Sequence, residues 1–357
     1  MTFVPGLTLA HRFHDEVVAP LLARRLPGLR YAAALLDGGS ELLGLDTPRS
    51  TDHDWGPRVQ LFVADGADVE PVRAVFDAAL PAEFLGWPTR FAGAPDLRLG
   101  VVRADGDRHG VTVVELGDWL RDRLGLDPRA GLAADDWLAL PTQRLAELTG
   151  GAVFHDGLGG ELIAVRARLG WYPDDVWRYV LASVWQRVGQ AEHLAGRCAE
   201  VGDELGSRVV AAGLARDLMR LGLLLRRRWP PYAKWLGSTF AALPGAAPVV
   251  DALGAALDGG GWPARQAGLV RALETVADWT NQTGLAAPVD PTVRPFHDRP
   301  FLVLDAGRLT TALRAAVTDP ELRARPPFGA VDQCLDNVDV LTDPQRVHRV
   351  SAAVRAD

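Results

Sequence analysis

LLDGGSELLGLDTPRSTDHDWGPRVQLF, residues 35–62, is the stretch on which the fold of this chain turns. It begins on the end of an apolar run, residues 30–36 (RYAAALL), which reads as a short buried strand. A glycine turn follows, Gly38-Gly39-Ser40, and the stretch closes on a second strand pattern at residues 59–64 (VQLFVA). Between them stand Asp52 and Asp54, one residue apart and entering that second strand. Alternate side chains of a strand share a face, so the two carboxylates are expected to project together while His53 points away. Adjacent carboxylates repel unless a cation neutralises them, and oxygen ligands suit Mg²⁺, which binds one or two carboxylates together with substrate phosphates. The expected chemistry is phosphoryl transfer.

Working outward, residues 8–25 carry Leu9, Phe13, Val17, Leu21 and Leu22 near helical spacing, and residues 69–80 place Val72, Val75, Phe76 and Leu80 on one helical face. Two more strands are expected at residues 97–104 and 111–116, joined by the turn Asp105-Gly106-Asp107. Beyond Gly125 the pattern becomes helical, at residues 137–148, 173–198, 203–228, 231–243 and 265–280, with Gly and Pro clusters between, including the loop Gly259-Gly260-Gly261. In the longest of these, Leu214, Leu218, Leu221 and Leu225 form a single apolar stripe. The expected class is α+β: an α/β domain with a mixed sheet over residues 1–125, then a mainly helical domain over residues 126–357.

Gly39-Ser40, eleven intervening residues and Asp52-His53-Asp54 together resemble the signature of the DNA polymerase beta nucleotidyltransferase superfamily. The resemblance implies that Gly39 and Ser40 contact the triphosphate and that Asp52 and Asp54 hold the metal. It also implies a third acid from a later strand, for which Glu115 in VTVVEL is the candidate, a departure from the commoner Asp. Over nearly its whole length the chain resembles a bacterial family of predicted nucleotidyltransferases whose helical C-terminal region is like that of aminoglycoside nucleotidyltransferases. The segments that carry this are SELLGLDTPRSTDHDWGPR, GDELGSRVV, RRRWPPYAKWLGSTF and VDQCLDNVDVL. The implied reaction is Mg²⁺-dependent transfer of a nucleoside monophosphate, AMP by default, from an NTP to a hydroxyl or similar group of a small molecule, with release of pyrophosphate. A protein or tRNA acceptor, and a non-catalytic nucleotide-binding regulatory module, stay open as alternatives.

Other residues carry a functional and a bland reading side by side. Arg49 and Arg58 flank the acidic pair and either hold phosphate or balance its charge. Lys234 is the single lysine among 38 basic residues and lies beside Tyr232 and Trp235 at a helix start, where an ammonium binds phosphate well as a point charge. The family resemblance implies such a Lys or Tyr contact, and implies an acidic general base for which Glu192 is a candidate. Asp203 and Glu204 open a helix and read as a cap. Trp171, Tyr172, Trp177 and Trp185 read as packing. Asp332, Gln333, Asp336 and Asp339 form a family-like cluster to which sequence alone assigns no role.

Composition narrows the setting. The chain has 357 residues, 48% hydrophobic and 23% charged, as in ordinary globular proteins. Residues 1–18 lack the basic start and apolar run of a secretory signal, so a cytoplasmic protein with no membrane partner is expected. Cys198 and Cys334 are too few for a disulfide framework and read as packing residues. A net charge of −7 gives no general attraction to a polyanion, so nucleic acid is disfavoured as a partner, with tRNA the one exception left open. A nucleoside triphosphate and a small acceptor fit better, on a monomer or homodimer.

Overall fold

Every residue of the strand β1 (Tyr31–Leu35) is buried, the outcome expected of an unbroken apolar run covered on both faces. The structure, a computed structural model, describes residues 3–52, 55–91 and 108–355. Strand β2 (Val59–Val63) lies antiparallel to β1, with Tyr31 opposite Val63 and Ala34 opposite Gln60. Strand β3 (Val111–Glu115) runs parallel to β2, with Val59 opposite Val111 and Val63 opposite Glu115. A fourth strand, β4 (Ala152–Asp156), pairs antiparallel with the free edge of β1 and closes the mixed sheet in the order β3-β2-β1-β4.

One face of this sheet carries Tyr31, Ala33, Val59, Leu61, Val63, Val111 and Val113. Against it pack Leu9, Phe13 and Leu22 from the N-terminal helical run, and Val72 and Phe76 from the helix Val69–Ala79. That run comprises Gly6–Phe13, a π turn at His14–Val18, and Ala19–Arg25. On the other face Phe62 meets Trp119 of the helix Leu116–Leu124 edge-on, with ring centroids 4.9 Å apart. The sheet is thus a filling between two helical layers, and its strand ends are left to carry loops.

The chain divides into two compact units, one made of Met1–Gly131 with Arg144–Gly170, the other of Leu132–Gln143 with Trp171–Asp357. The border expected after Gly125 falls near the first exit from the sheet unit, but residues 144–170, which include β4, belong to that unit as well. The expected strand at 97–104 and its turn at 105–107 lie outside the described residues. The second unit is helical, with Asp174–Ala191, Leu194–Glu200, Glu204–Leu225, Ala233–Ala241, Ala247–Asp258, Trp262–Gln282 and Gly307–Ala315 as principal members. Leu214, Leu218, Leu221 and Leu225 are buried as one stripe, and the Asp203 carboxylate caps their helix by accepting the Gly206 N–H at 2.8 Å.

The single helix expected over 137–148 is two, Ala134–Ala139 and Thr142–Thr149. Pro141 breaks it, because a residue before proline is driven out of the helical region and Leu140 accordingly has φ −88° and ψ 117°. Among the described residues no helix is long and apolar enough to cross a membrane.

Candidate functional site

The exit of β1 is held by its neighbour strand. The Gln60 side chain accepts the Leu36 N–H at 2.8 Å and donates to the Leu36 carbonyl at 3.0 Å, so both polar groups at the strand end are satisfied before the turn begins. Asp37, Gly38 and Gly39 then take φ values of 80°, 153° and 117°. At Gly39 two demands coincide. Its φ lies in the region L residues avoid, and a Cβ there would fall 2.4 Å from the Glu41 carboxylate. Ser40–Leu43 follow as a 3₁₀ turn.

Two arginines from distant sequence fasten this turn. The Asp37 carboxylate accepts Arg123 Nε at 2.6 Å and an Arg144 guanidinium N–H at 2.8 Å, and its backbone N–H donates to the Glu147 carbonyl at 3.3 Å. Beneath the turn, Glu41 is 3% exposed and paired with Arg58. Burial pushes the Glu41 carboxyl above the usual range, and the Arg58 charge pulls against that shift. Among the described residues the N–H groups of Gly38, Gly39 and Ser40 have no acceptor. Three backbone donors without a protein acceptor on a glycine turn are available to an anion.

Among the described residues a side-chain contact joins the acidic segment to this turn. Ser40 Oγ lies 3.3 Å from Ser50 Oγ, which also accepts the Thr47 N–H at 3.0 Å. Ser50 sits in the 3₁₀ turn Pro48–Asp52, so Asp52 closes a turn tied to the Gly-Ser loop. Asp52 was expected at the entry of a strand; the strand begins at Val59, and the alternation argument does not apply to a residue in a 3₁₀ turn. His53 and Asp54 lie outside the described residues. The chain is anchored beyond them by Trp55, which is 1% exposed and whose Nε1 lies 3.4 Å from an Asp46 carboxylate oxygen that also accepts the Gly6 N–H at 2.6 Å. Arg49 is exposed on the same turn, its N–H bonded to Thr47 Oγ1 at 3.2 Å.

Glu115 stands elsewhere. Strand pairing puts it opposite Val63, which is opposite Tyr31. The Gly-Ser loop leaves from the other end of β1, beside the start of β2. Both Glu115 oxygens are also engaged: the carboxylate caps the helix Leu116–Leu124, accepting Gly117 N–H at 2.7 Å and Asp118 N–H at 2.6 Å. Glu115 is an acid at a strand end and also the cap of the next helix. For Asp37, Arg123 and Arg144 the sequence offers no local signal beyond an Asp directly before two glycines.

In the helical unit, Tyr232 is the cap residue and Lys234 lies in the first turn of the helix Ala233–Ala241. Lys234 is exposed, its Nζ 4.8 Å from the Trp235 ring centroid. A cation at a helix N-terminus opposes the helix dipole, whereas an anion bound there satisfies both the cation and the free N–H groups. Glu192 has a different setting. Its two oxygens accept the N–H groups of Leu304 at 2.6 Å and Ala306 at 3.0 Å around Asp305, whose φ is 58°. Burial raises the Glu192 pKa and these amides oppose the rise. It borders a cavity of about 460 Å³ with Gln186, His193, Arg294, His297 and Asp305, a volume in the range of small-molecule pockets. Tyr172, Trp177 and Trp185 are buried, and Trp171 packs on Trp229 at 4.3 Å, in keeping with the packing reading.

Among the described residues no group of three or more His, Cys, Asp or Glu side chains is placed to hold a metal. A family described as "Domain of unknown function (DUF4037)" matches residues 137–236, a segment that contains Thr142, Glu192, Asp217, Tyr232 and Lys234. No curated protein and no solved structure matches the chain.

Proposed function

We propose that this chain is a Mg²⁺-dependent nucleotidyltransferase that transfers a nucleoside monophosphate from an NTP, ATP by default, to a hydroxyl of a small molecule and releases pyrophosphate. The observation that carries the reading is the Ser40–Ser50 contact, 3.3 Å long, which joins a glycine turn with unspent N–H donors to the segment ending on Asp52. A phosphate receptor and an acidic segment held side by side are the two parts this chemistry needs.

Each part has a job. The amides of Gly38, Gly39 and Ser40 and the Ser40 hydroxyl receive phosphate oxygens, with the Asp37 clamp keeping the turn in its receiving shape. Carboxylate oxygens are the donors that a hard cation prefers, and Asp52 and Asp54 would hold it; when bound, the ion activates the attacking hydroxyl and neutralises the leaving pyrophosphate. Arg49 adds positive charge on the same turn. Within the helical unit, Lys234 lies at a helix N-terminus that favours anions and is the candidate there for binding a phosphate. An overall charge of −7 supports a small acceptor over a nucleic acid.

The test is pyrophosphate release from each of the four NTPs with Mg²⁺, for wild type beside Asp54→Ala, against pooled aminoglycosides, amino acids, sugars and tRNA. Release that disappears in the variant is expected. Equal release by both proteins would refute the mechanism.

A further inference from the structure

The C-terminal VDQ sequence at residues 331–333 is built into the helical unit as a clasp. Gln333 Oε1 accepts the Ala330 N–H at 2.7 Å and its Nε2 donates to the Val180 carbonyl at 3.2 Å. A Cβ at Gly329 would fall 1.7 Å from that same Gln333 oxygen, so the glycine, at φ 85°, is what lets the clasp fold back. Arg220 donates to the Asp332 carbonyl at 2.9 Å and Arg187 to the Gln333 carbonyl. Arg187 is itself held by Asp217 at 2.9 Å.

The purpose of this fastening is visible at the Asp332 side chain, which is 5% exposed. One oxygen accepts the Thr142 N–H at 3.0 Å and lies 2.5 Å from Thr142 Oγ1. The Thr142 hydroxyl also lies 3.0 Å from the Pro230 carbonyl, so its single proton serves two acceptors. The next residue continues the chain of contacts: Gln143 Oε1 accepts the Tyr232 N–H at 2.7 Å. Pro230 and Pro231 carry no N–H, so Tyr232 is the first amide after Trp229 able to anchor this stretch. The other Asp332 oxygen has no partner among the described residues and borders a cavity of about 10 Å³, the size of one water.

We propose that Asp332 is a positioning residue for segment 230–234, acting through Thr142 and Gln143 to set where Lys234 meets a nucleotide phosphate. The proposal rests on the nucleotidyl-transfer reading for what Lys234 touches, but the clasp itself is a separate structural claim. Asp332→Asn keeps the shape and weakens the grip on Thr142. Thr142→Val removes the hydroxyl at nearly constant volume, and Thr142→Ser restores it.

The experiment measures Mg-ATP affinity by titration calorimetry, together with amide exchange over residues 229–236, in the full-length chain. Asp332→Asn and Thr142→Val are expected to weaken ATP about tenfold, which corresponds to about 1.4 kcal/mol. Thr142→Ser is expected to match wild type. Because Asp332 acts through Lys234, the double variant Asp332→Asn, Lys234→Ala should bind no more weakly than Lys234→Ala alone. Exchange should quicken over 229–236 and stay unchanged in the helix Trp262–Gln282, which excludes general unfolding. Wild-type affinity in Asp332→Asn, or losses that add in the double variant, would overturn the proposal. Should wild type bind no nucleotide, the nucleotidyl-transfer reading fails, and unchanged exchange over 229–236 in Asp332→Asn would overturn the clasp independently.

Discussion

Glu115→Gln separates two jobs for one carboxylate. As a helix cap, Glu115 spends both oxygens on the Gly117 and Asp118 N–H groups, with its charge at the positive end of the helix Leu116–Leu124. Gln keeps one acceptor oxygen and loses the charge, so the expected cost is about 1 kcal/mol from one cap bond and the dipole term. As a metal ligand, it would have to reach the ion proposed for Asp52 and Asp54. Strand register opposes this: Glu115 is level with Val63, whereas the Gly-Ser loop leaves β1 beside the start of β2 at Val59. At a rise of ~3.3 Å per residue those levels are roughly 13 Å apart, against ligand bonds of ~2 Å to Mg²⁺. The assay is pyrophosphate release alongside a urea transition on the same preparation. Turnover within about threefold of wild type and a small drop in midpoint are expected, since loss of one cap bond leaves the reacting groups in place. A loss of hundredfold or more in turnover at unchanged stability is what removing a charge-stabilising ligand produces, and would refute this reasoning.

Two further substitutions probe the scaffold. Gly39→Ala meets both a φ of 117° and the Glu41 carboxylate, and is expected to cost about 2–3 kcal/mol and to depress NTP binding; a wild-type melting temperature would show that the turn relaxes freely. Asp175 offers a pH signature: burial pushes its carboxyl up, but bonds from Thr318 N–H and Oγ1, the Asp319 N–H and Arg178 outweigh that and hold it at about 2. A carboxylate with a depressed pKa stabilises the fold above the unfolded value near 3.8 and loses that contribution as pH falls toward 2. With a fifth of its side chain exposed, solvent screening leaves about 1–2 kcal/mol. Asp175→Asn should therefore be less stable than wild type by that amount at pH 7 and converge with it near pH 2, as read from urea midpoints; a gap that does not change with pH would exclude the charge as its source.

The sequence by itself determined what depends on neighbours along the chain. The runs 59–63 and 111–115 are strands because β-branched residues suit a pleated surface, and the Ala-rich run 31–35 is one because the turns on either side leave it too short for a stable helix. The helix Glu204–Leu225 was legible from its leucine spacing and Asp203, since a cap and a 3.6-residue stripe are both local features. The glycines before Ser40 declared a turn, although only the folded chain shows that Gly39 also makes room for Glu41. Tertiary structure alone decided the rest. Residues 152–156 (AVFHD) pass for a loop until the open edge of β1 offers them hydrogen bonds. Asp37 is one acid among many until Arg123 and Arg144 arrive from two other elements, and Asp332 is unreadable until Thr142 is beside it. Glu115 reads as a ligand candidate at a strand end, and only the folded chain shows that it caps the next helix and at which end of the sheet it stands. Charge pairing and register are properties of closure in three dimensions, where residues far apart in sequence meet, and local patterns do not carry that information.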